Sequence, residues 1–395
     1  MRPSFLLLTL FLFTPALLMA QTEVDERAVI SFDKGLGFFA PDSTYGLNLR
    51  FRMQNRLGVN TISSTNLSPE SFEANVRRLR LRFDGFLGSD FSYYLQLSFS
   101  RGDQDWDVSG FPGVVRDAMV FYNFSERLYV GFGQGKLPGN RQRVVSSGQQ
   151  QFVDRSHVNA LFNIDRDFGV MLYFQHQVGP IHYNLKGAIS SGEGRNVQRT
   201  DDGLAYTTRL ELLPLGRFLN DGDFSEGDLE RESRPKLSIG VAYSINQKAR
   251  RHGGQRGYHL PEPVDIRSVF FDYILKYNGW AMQGEFASRA VPLQAWLAAS
   301  DPDPLYVFTG KGFNSQLSYV FPGNLEVAAR HTWISPHEEI GLWEIENNIY
   351  TLGLTRYYQR HRHKIQLNLS FHDNPGQQAV TSGHWNLIFQ VELGI

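Results

Sequence analysis

The sequence predicts an all-β protein, a transmembrane antiparallel β-barrel of sixteen strands. Three observations predict it. Apolar and polar residues alternate over stretches of about ten residues, the length a tilted bilayer-spanning strand requires. Short turns alternate with long loops along the chain. The start of the chain reads as an export segment, and no later apolar run is long enough for a membrane helix.

The export segment is expected at 1–20: Arg2 supplies a basic start, 5–13 is apolar except for Thr9, and Ala20 ends a run of small and apolar residues where cleavage would fall. A short periplasmic N-terminal segment, 21–43, is then expected before a barrel over 44–395. The chain has no cysteine, so it has no thiolate metal site, no disulfide framework and no lipidated cysteine. Its 395 residues carry 37 glycines, 13% aromatics and a net charge of -1. Glycines and aromatics at that level suit many turns joined by strands. Near-neutrality argues against a nucleic-acid partner, so any charge-based function has to come from where the charges are placed.

From Tyr45 the odd positions Tyr45, Leu47, Leu49, Phe51 and Met53 are apolar, while Asn48, Arg50, Arg52, Gln54 and Arg56 form a charged face. Leu79, Leu81 and Phe83 oppose Arg78, Arg80 and Arg82 in the same way. The C-terminus closes with Trp385, Leu387, Phe389, Val391, Leu393 and Ile395 alternating against Asn386, Gln390 and Glu392. This division repeated along the chain places strands at 44–59, 76–88, 91–101, 114–125, 127–137, 167–179, 181–191, 204–213, 235–246, 266–278, 280–290, 312–321, 324–334, 348–359, 363–373 and 383–395. Turns at Gly88-Ser89, Ser125-Glu126, Gly179-Pro180, Asn278-Gly279 and Pro322-Gly323 separate longer segments at 60–75, 102–113, 138–166, 247–265 and 291–311. That parity marks periplasmic turns and extracellular loops, with the acidic stretch 214–234 as the one exception. A soluble β-sandwich, the other fold for amphipathic strands, uses strands of about five or six residues.

The segment Gly131-Phe-Gly-Gln-Gly-Lys-Leu-Pro138, the preceding strand Asp117-Ala-Met-Val-Phe-Tyr and the strand Pro235-Lys-Leu-Ser-Ile-Gly-Val-Ala-Tyr243 resemble the phosphate-selective porin O and P family over most of the mature chain. The resemblance implies a trimeric sixteen-stranded porin whose long third extracellular loop folds into the lumen. It also implies a long periplasmic connection between strands eight and nine, which would account for 214–234. The chain departs from the usual pattern in ending at Ile395, where outer-membrane barrels often end in an aromatic.

The alternation turns Arg50, Arg52, Arg56, Arg78, Arg80 and Arg82 inward on two adjacent strands. At a spacing of about 7 Å, like charges repel by roughly 0.6 kcal/mol in water and about 2.4 kcal/mol at an effective dielectric of about 20. Arginine cannot lose its proton to relieve this. Acids, water or passing anions must relieve it. Arg127, Lys186, Arg209, Lys236, Lys276, Arg289, Arg330 and Lys364 add to the inward basic set. Asp84, Asp117, Glu211, Asp272, Glu285, Glu326 and Glu392 are the inward acids. The expected function is a water-filled outer-membrane channel for passive diffusion of small anionic solutes, phosphate or similar oxyanions. Outer-membrane lipid is expected around it, with further copies of the chain in a homotrimer. Lys136, Arg141, Arg143, Arg155 and Arg166 are candidates for a constriction.

The alternative is a general diffusion pore in which loop acids such as Asp154, Asp165 and Asp167 cancel the arginine wall. A remoter one, an outer-membrane hydrolase, lacks a base near a nucleophile: His182 and Ser190 lie about 26 Å apart along one strand. His361 and His363 read as a solvated turn, and His252 and His259 as loop residues. No metal site and no cofactor are expected.

Overall fold

The computed structural model describes residues 29–32, 35–100, 105–106, 112–197, 203–294, 296–297, 301, 303–373 and 383–395. The expected export segment 1–20 lies outside the described residues.

Sixteen strands close one antiparallel barrel: β1 (Tyr45–Thr61), β2 (Pro69–Leu87), β3 (Phe91–Ser98), β4 (Val115–Asn123), β5 (Leu128–Lys136), β6 (Arg166–Val178), β7 (Ile181–Ser190), β8 (Ala205–Leu213), β9 (Lys236–Arg251), β10 (His259–Tyr277), β11 (Trp280–Ala290), β12 (Gly310–Val320), β13 (Leu325–Pro336), β14 (Asn347–Gln359), β15 (His363–Asp373) and β16 (His384–Gly394). Each pairs with the next, and β16 returns to β1 from Asn386 opposite Asn60 to Gly394 opposite Arg52. Closure leaves no ladder of unpaired backbone groups to face hydrocarbon.

The C-terminal strand stops short of the end of β1. Beyond Arg52, β1 pairs instead with a short strand, Leu36–Phe39, from Leu36 opposite Leu49 to Phe39 opposite Gly46. A further strand, Val29–Ser31, pairs with that one. N-terminal residues thus finish the seam that the C-terminus leaves open.

Burial is inverted relative to a soluble protein. Inward side chains such as Gln54, Ser238 and Asp272 are shut off from solvent, while Leu57, Leu185, Val241 and Phe271 stand exposed on the outer face. That is the arrangement lipid demands. At the short-turn end the outer face carries exposed aromatics, among them Tyr45, Phe91, Phe124, Tyr277, Trp280, Phe321 and Tyr358. Trp280 and Tyr319 flank the Asn278-Gly279 turn with ring centroids 4.8 Å apart. The turn itself takes φ of 47° and 90° at those two residues, the positive pair that a two-residue hairpin needs and that Asn-Gly tolerates.

The parity of short and long connections holds throughout, except at 214–235 between β8 and β9. Two expected loops are shorter than the sequence indicated. In 60–75 and 247–265 the strands continue outward as paired hairpins, to Thr61 opposite Pro69 and to Arg251 opposite His259. Register shifts at Gln54/Asn55 and at Asn246/Ala249 move the extra residues out of the period-2 pattern, so alternation could not reveal them.

Candidate functional site: a cationic lumen narrowed by two inserted segments

The connection 137–165 between β5 and β6 lies inside the barrel. Helices α1 (Arg141–Val144) and α2 (His157–Phe162) shape it, and Ser156 caps α2 by accepting from the Asn159 backbone N–H. Val158 and Phe162, one turn apart on α2, bury with Leu137, Ile164, Met171 and Phe308 in one apolar cluster. Its polar groups bond to inward strand residues around the wall. Arg141 donates to Asp272 at 2.6 Å and to Ser238 at 2.8 Å. Asn140 reaches Glu285, Gln142 reaches Gln316, Arg330 donates to the Asp154 carbonyl and Lys364 to those of Gly148 and Gln150.

The exceptional connection 214–235 enters from the opposite end. Lys276 donates to the Gly222 and Ser225 carbonyls, and Asp228 accepts from the Gly279 N–H. The two segments meet at Glu226. Its N–H donates to the Gln149 carbonyl at 2.8 Å, while its carboxylate accepts from the Gln151 N–H at 3.0 Å and from Gln283 at 2.9 Å.

Together they fill the side of the barrel walled by β8 to β12. What remains is an eccentric cavity of about 1540 Å³ along β1 to β6 and, across the closing seam, parts of β13 to β16. Its lining runs from Asn60, Arg256 and His384 at the long-loop end to Arg362 and Ile395 at the short-turn end, and includes sixteen Arg or Lys against six Asp or Glu among the described residues. A water-filled groove with that imbalance concentrates anions.

Of the sequence-derived wall, Arg50, Arg52, Arg78, Arg80 and Arg82 line this cavity. Arg50 stands opposite Arg82 and Arg52 opposite Arg80. Asp84 bridges the first pair, at 2.6 Å from Arg50 and 3.0 Å from Arg82. Around the second pair hydroxyls are among the partners: Arg52 donates to Ser147 at 2.8 Å and Ser146 at 3.4 Å, and Arg80 to Ser147 at 3.0 Å, with Glu392 3.8 Å from Arg52. Arg56 is buried behind the lining, 2.8 Å from Asp154 and bonded to the Val153 carbonyl. It anchors the inserted segment.

Asp154 also approaches Arg77 at 3.6 Å and Arg78 at 3.8 Å. Burial alone would raise its carboxyl, but these guanidiniums with Arg56 hold it down at about 2. Among the constriction candidates, Lys136, Arg143, Arg155 and Arg166 line the cavity. Lys136 donates to the Val144 carbonyl, Arg155 to those of Gln142 and Val145, and Arg143 pairs with Asp165. Arg166 holds Asp117 in a two-pronged contact at 2.8 and 3.1 Å. Arg141, bound to Asp272 and to the Asp223 carbonyl, faces away from the cavity among the inserted segments.

Two lining residues escape period-2 reasoning. Gln54 faces Arg78 but Asn55 faces Val76, and Gln96 faces Asp117 but Leu97 faces Val115. The bulges leave Arg77 and Arg116 as extra residues, and both join the lining. Adjacent Arg77-Arg78 and Arg116-Asp117, charged on consecutive positions of an amphipathic strand, were the available signal. Lys186, Arg209 and Lys364, read as pore-facing, are spent on Glu211, Asp272 and Glu392 or on loop carbonyls. Arg127 is exposed in a turn. His361 is buried against the Glu226 carbonyl, where the expectation was a solvated turn. Asp167 does not reach the arginine wall, since it accepts from Ser191 and the Gly192 and Gly194 N–H groups.

A family model described as phosphate-selective porin O and P matches residues 47–367. No curated protein matches the chain. Among solved structures, the anion-selective porin from Comamonas acidovorans is 10% identical with a TM-score of 0.56, covering 89% of this chain and 100% of that one. A loop L8 deletion mutant of OmpT, an outer membrane protein of Vibrio cholerae, is 9% identical with a TM-score of 0.54, covering 89% and 100%. In-vitro folded OmpT of the same organism in trimer form is 8% identical with a TM-score of 0.51, covering 88% and 99%. At such identities these likenesses speak for the fold.

Proposed function

The chain belongs to the phosphate-selective porin O and P family of outer-membrane channels, and from that premise we propose that its solutes are small oxyanions, phosphate foremost, drawn through the lumen by the arginine wall. The carrying observation is the pairing of Arg52 and Arg80 around Ser146 and Ser147 on the edge of the open path. Guanidiniums supply charge and parallel N–H donors, and each serine hydroxyl can accept from an arginine while donating its own proton outward. Several charge-assisted donors converging on one spot suit a tetrahedral oxyanion, whereas water in the groove keeps its hold loose enough for release.

The test is a planar bilayer with purified protein across a KCl gradient. The reversal potential should report anion preference, and phosphate should reduce chloride current at low concentration. Arg80→Glu with Arg82→Glu should move the reversal potential toward cations and weaken the phosphate effect. Unchanged selectivity in that double variant would favour the second reading, a general diffusion pore. That reading draws support from Asp84 and Asp154, which place carboxylates directly on the wall.

We propose further that the chain assembles as a homotrimer, a reading that wall height supports. β3, β4 and β5 have 8, 9 and 9 residues, which at ~45° tilt rise roughly 20 Å, less than the ~25 Å apolar band of such barrels. Neighbouring copies covering this run of three successive short strands would remove the mismatch there, and outer-membrane lipid would meet the rest of the wall.

A further inference from the structure

The cavity has a second surface that the proposed oxyanion path leaves unused. Tyr94 on β3, Phe121 on β4, Tyr129 on β5 and Tyr173 on β6 all turn inward and line it. Tyr129 and Tyr173 are cross-strand partners stacked at 4.6 Å. Phe121 lies 5.9 Å from Tyr94, 6.0 Å from Tyr129 and 6.2 Å from Tyr173. The Arg82 guanidinium sits 4.8 Å from the centre of the Tyr94 ring, and Arg50 stands opposite Arg82. Reading around the wall from β1 to β6, two cations are followed by four rings in one belt.

The strand between these rings makes room for them. The inward positions of β5 after Tyr129 are Gly131, Gly133 and Gly135. A Cβ at Gly131 would stand 2.8 Å from the Phe121 ring and 2.9 Å from the Met119 methyl, and one at Gly135 would stand 2.9 Å from Met119. Phe121 and Met119 therefore spread over bare backbone, and any larger residue would push them into the channel. This accounts for Gly131 and Gly135 in packing terms, while Gly133 takes a φ of 128° and a Cβ there would stand 2.2 Å from the Ala118 carbonyl oxygen.

Inorganic ions gain nothing from rings in a wet lumen, and four partly buried aromatics leave some apolar area facing water. A solute with an apolar ring would cover that area by stacking, and its anionic group would meet the cations beside it. Arg50 and Arg82 share the single carboxylate of Asp84, and their side chains remain 37% and 38% exposed. We infer that the lumen holds a subsite for ring-bearing organic phosphates, with the phosphate at Arg50 and Arg82 and the ring on Tyr94, Phe121 and the Tyr129–Tyr173 stack. The subsite rests on the anion-channel reading and narrows its substrate class.

The experiment compares phenyl phosphate with inorganic phosphate as blockers of chloride current through the purified channel, with the KCl-gradient reversal potential taken on the same membranes. Phenyl phosphate should block at about tenfold lower concentration, the scale of one ring-stacking contact. Phe121→Leu and Tyr129→Leu keep apolar bulk and remove a ring. Each should bring phenyl phosphate close to inorganic phosphate while leaving the inorganic phosphate block unchanged. Heat-resistant mobility in detergent gels would establish that both variants fold. Equal block by the two anions in an anion-preferring wild-type channel overturns the subsite alone, as does an undiminished phenyl phosphate preference in both folded variants. Absence of anion preference overturns the parent reading and this one with it.

Discussion

At the scale of single residues, the wall shows how one carboxylate can decide what several arginines do. Asp154 comes from the inserted segment, yet its neighbours Arg56, Arg77 and Arg78 belong to β1 and β2, so it is both a latch and a local cancellation of charge. Its carboxyl is held at about 2, against an ordinary value of 3.8. The latch is therefore complete above about pH 4 and is lost as pH falls through 2. Anion preference should rise over that interval as the negative charge disappears. Asp154→Asn should show the raised preference already at neutral pH, lose the part of the acid response due to this group, and weaken the latch by on the order of 1 kcal/mol. Reversal potentials measured from pH 6 down to 2 on both proteins check this, and superimposable curves would mean that Asp154 is electrically silent. The inward direction of Arg50, Arg52, Arg78, Arg80 and Arg82 was legible because period-2 alternation fixes a face. The partners were not legible, because Asp154 reaches the wall across 76 or more positions of chain and no local pattern encodes such a contact.

Among elements, strands were legible to within a few residues wherever lipid on one side and water or protein on the other enforced alternation. Hairpin extensions such as 69–75, lying past the membrane-spanning stretch, lack that double constraint. In the residues themselves the inserted segments were visible only as excess length, and it was the family resemblance that implied the lumen for the third loop. Their destination depends on inward residues from distant strands: Arg56, Lys276, Arg289, Arg330 and Lys364 bind their backbone carbonyls. Cations that periodicity assigned to the path thus hold its obstructions in place. Glu226 joins the two segments through two hydrogen bonds, one of them to its carboxylate, and that carboxylate takes a further bond from Gln283 on the β11 wall. Glu226→Ala removes the carboxylate bonds, each worth about 1.5–3 kcal/mol with a charged partner. The 137–165 segment should then move more freely, giving larger and noisier single-channel conductance in an otherwise folded barrel. Quiet traces of wild-type size would show that each segment is held by the wall alone.

For the molecule as a whole, the near-zero net charge of the chain conceals a separation: among the described residues that line the cavity, bases outnumber acids by sixteen to six. Such a field acts on ions through water, so its reach is set by salt. The Debye length is about 10 Å at 0.1 M and about 3 Å at 1 M. At the lower value the wall charges act across much of the groove, and at the higher they act only on ions close to a guanidinium. Anion preference from a threefold KCl gradient should accordingly be strong around 0.1 M and fall toward the ratio of bulk ion mobilities around 1 M. Phosphate block at Arg52, Arg80, Ser146 and Ser147 depends on direct hydrogen bonds, which short-range screening reduces less. It should therefore persist at salt concentrations where the reversal potential has largely collapsed. Parallel loss of both signals would assign the phosphate effect to the diffuse field alone. A reversal potential insensitive to salt would instead place selectivity at a contact so close that ions shed water to pass it, and the long arginine wall would then serve to anchor the inserted segments more than to attract solute.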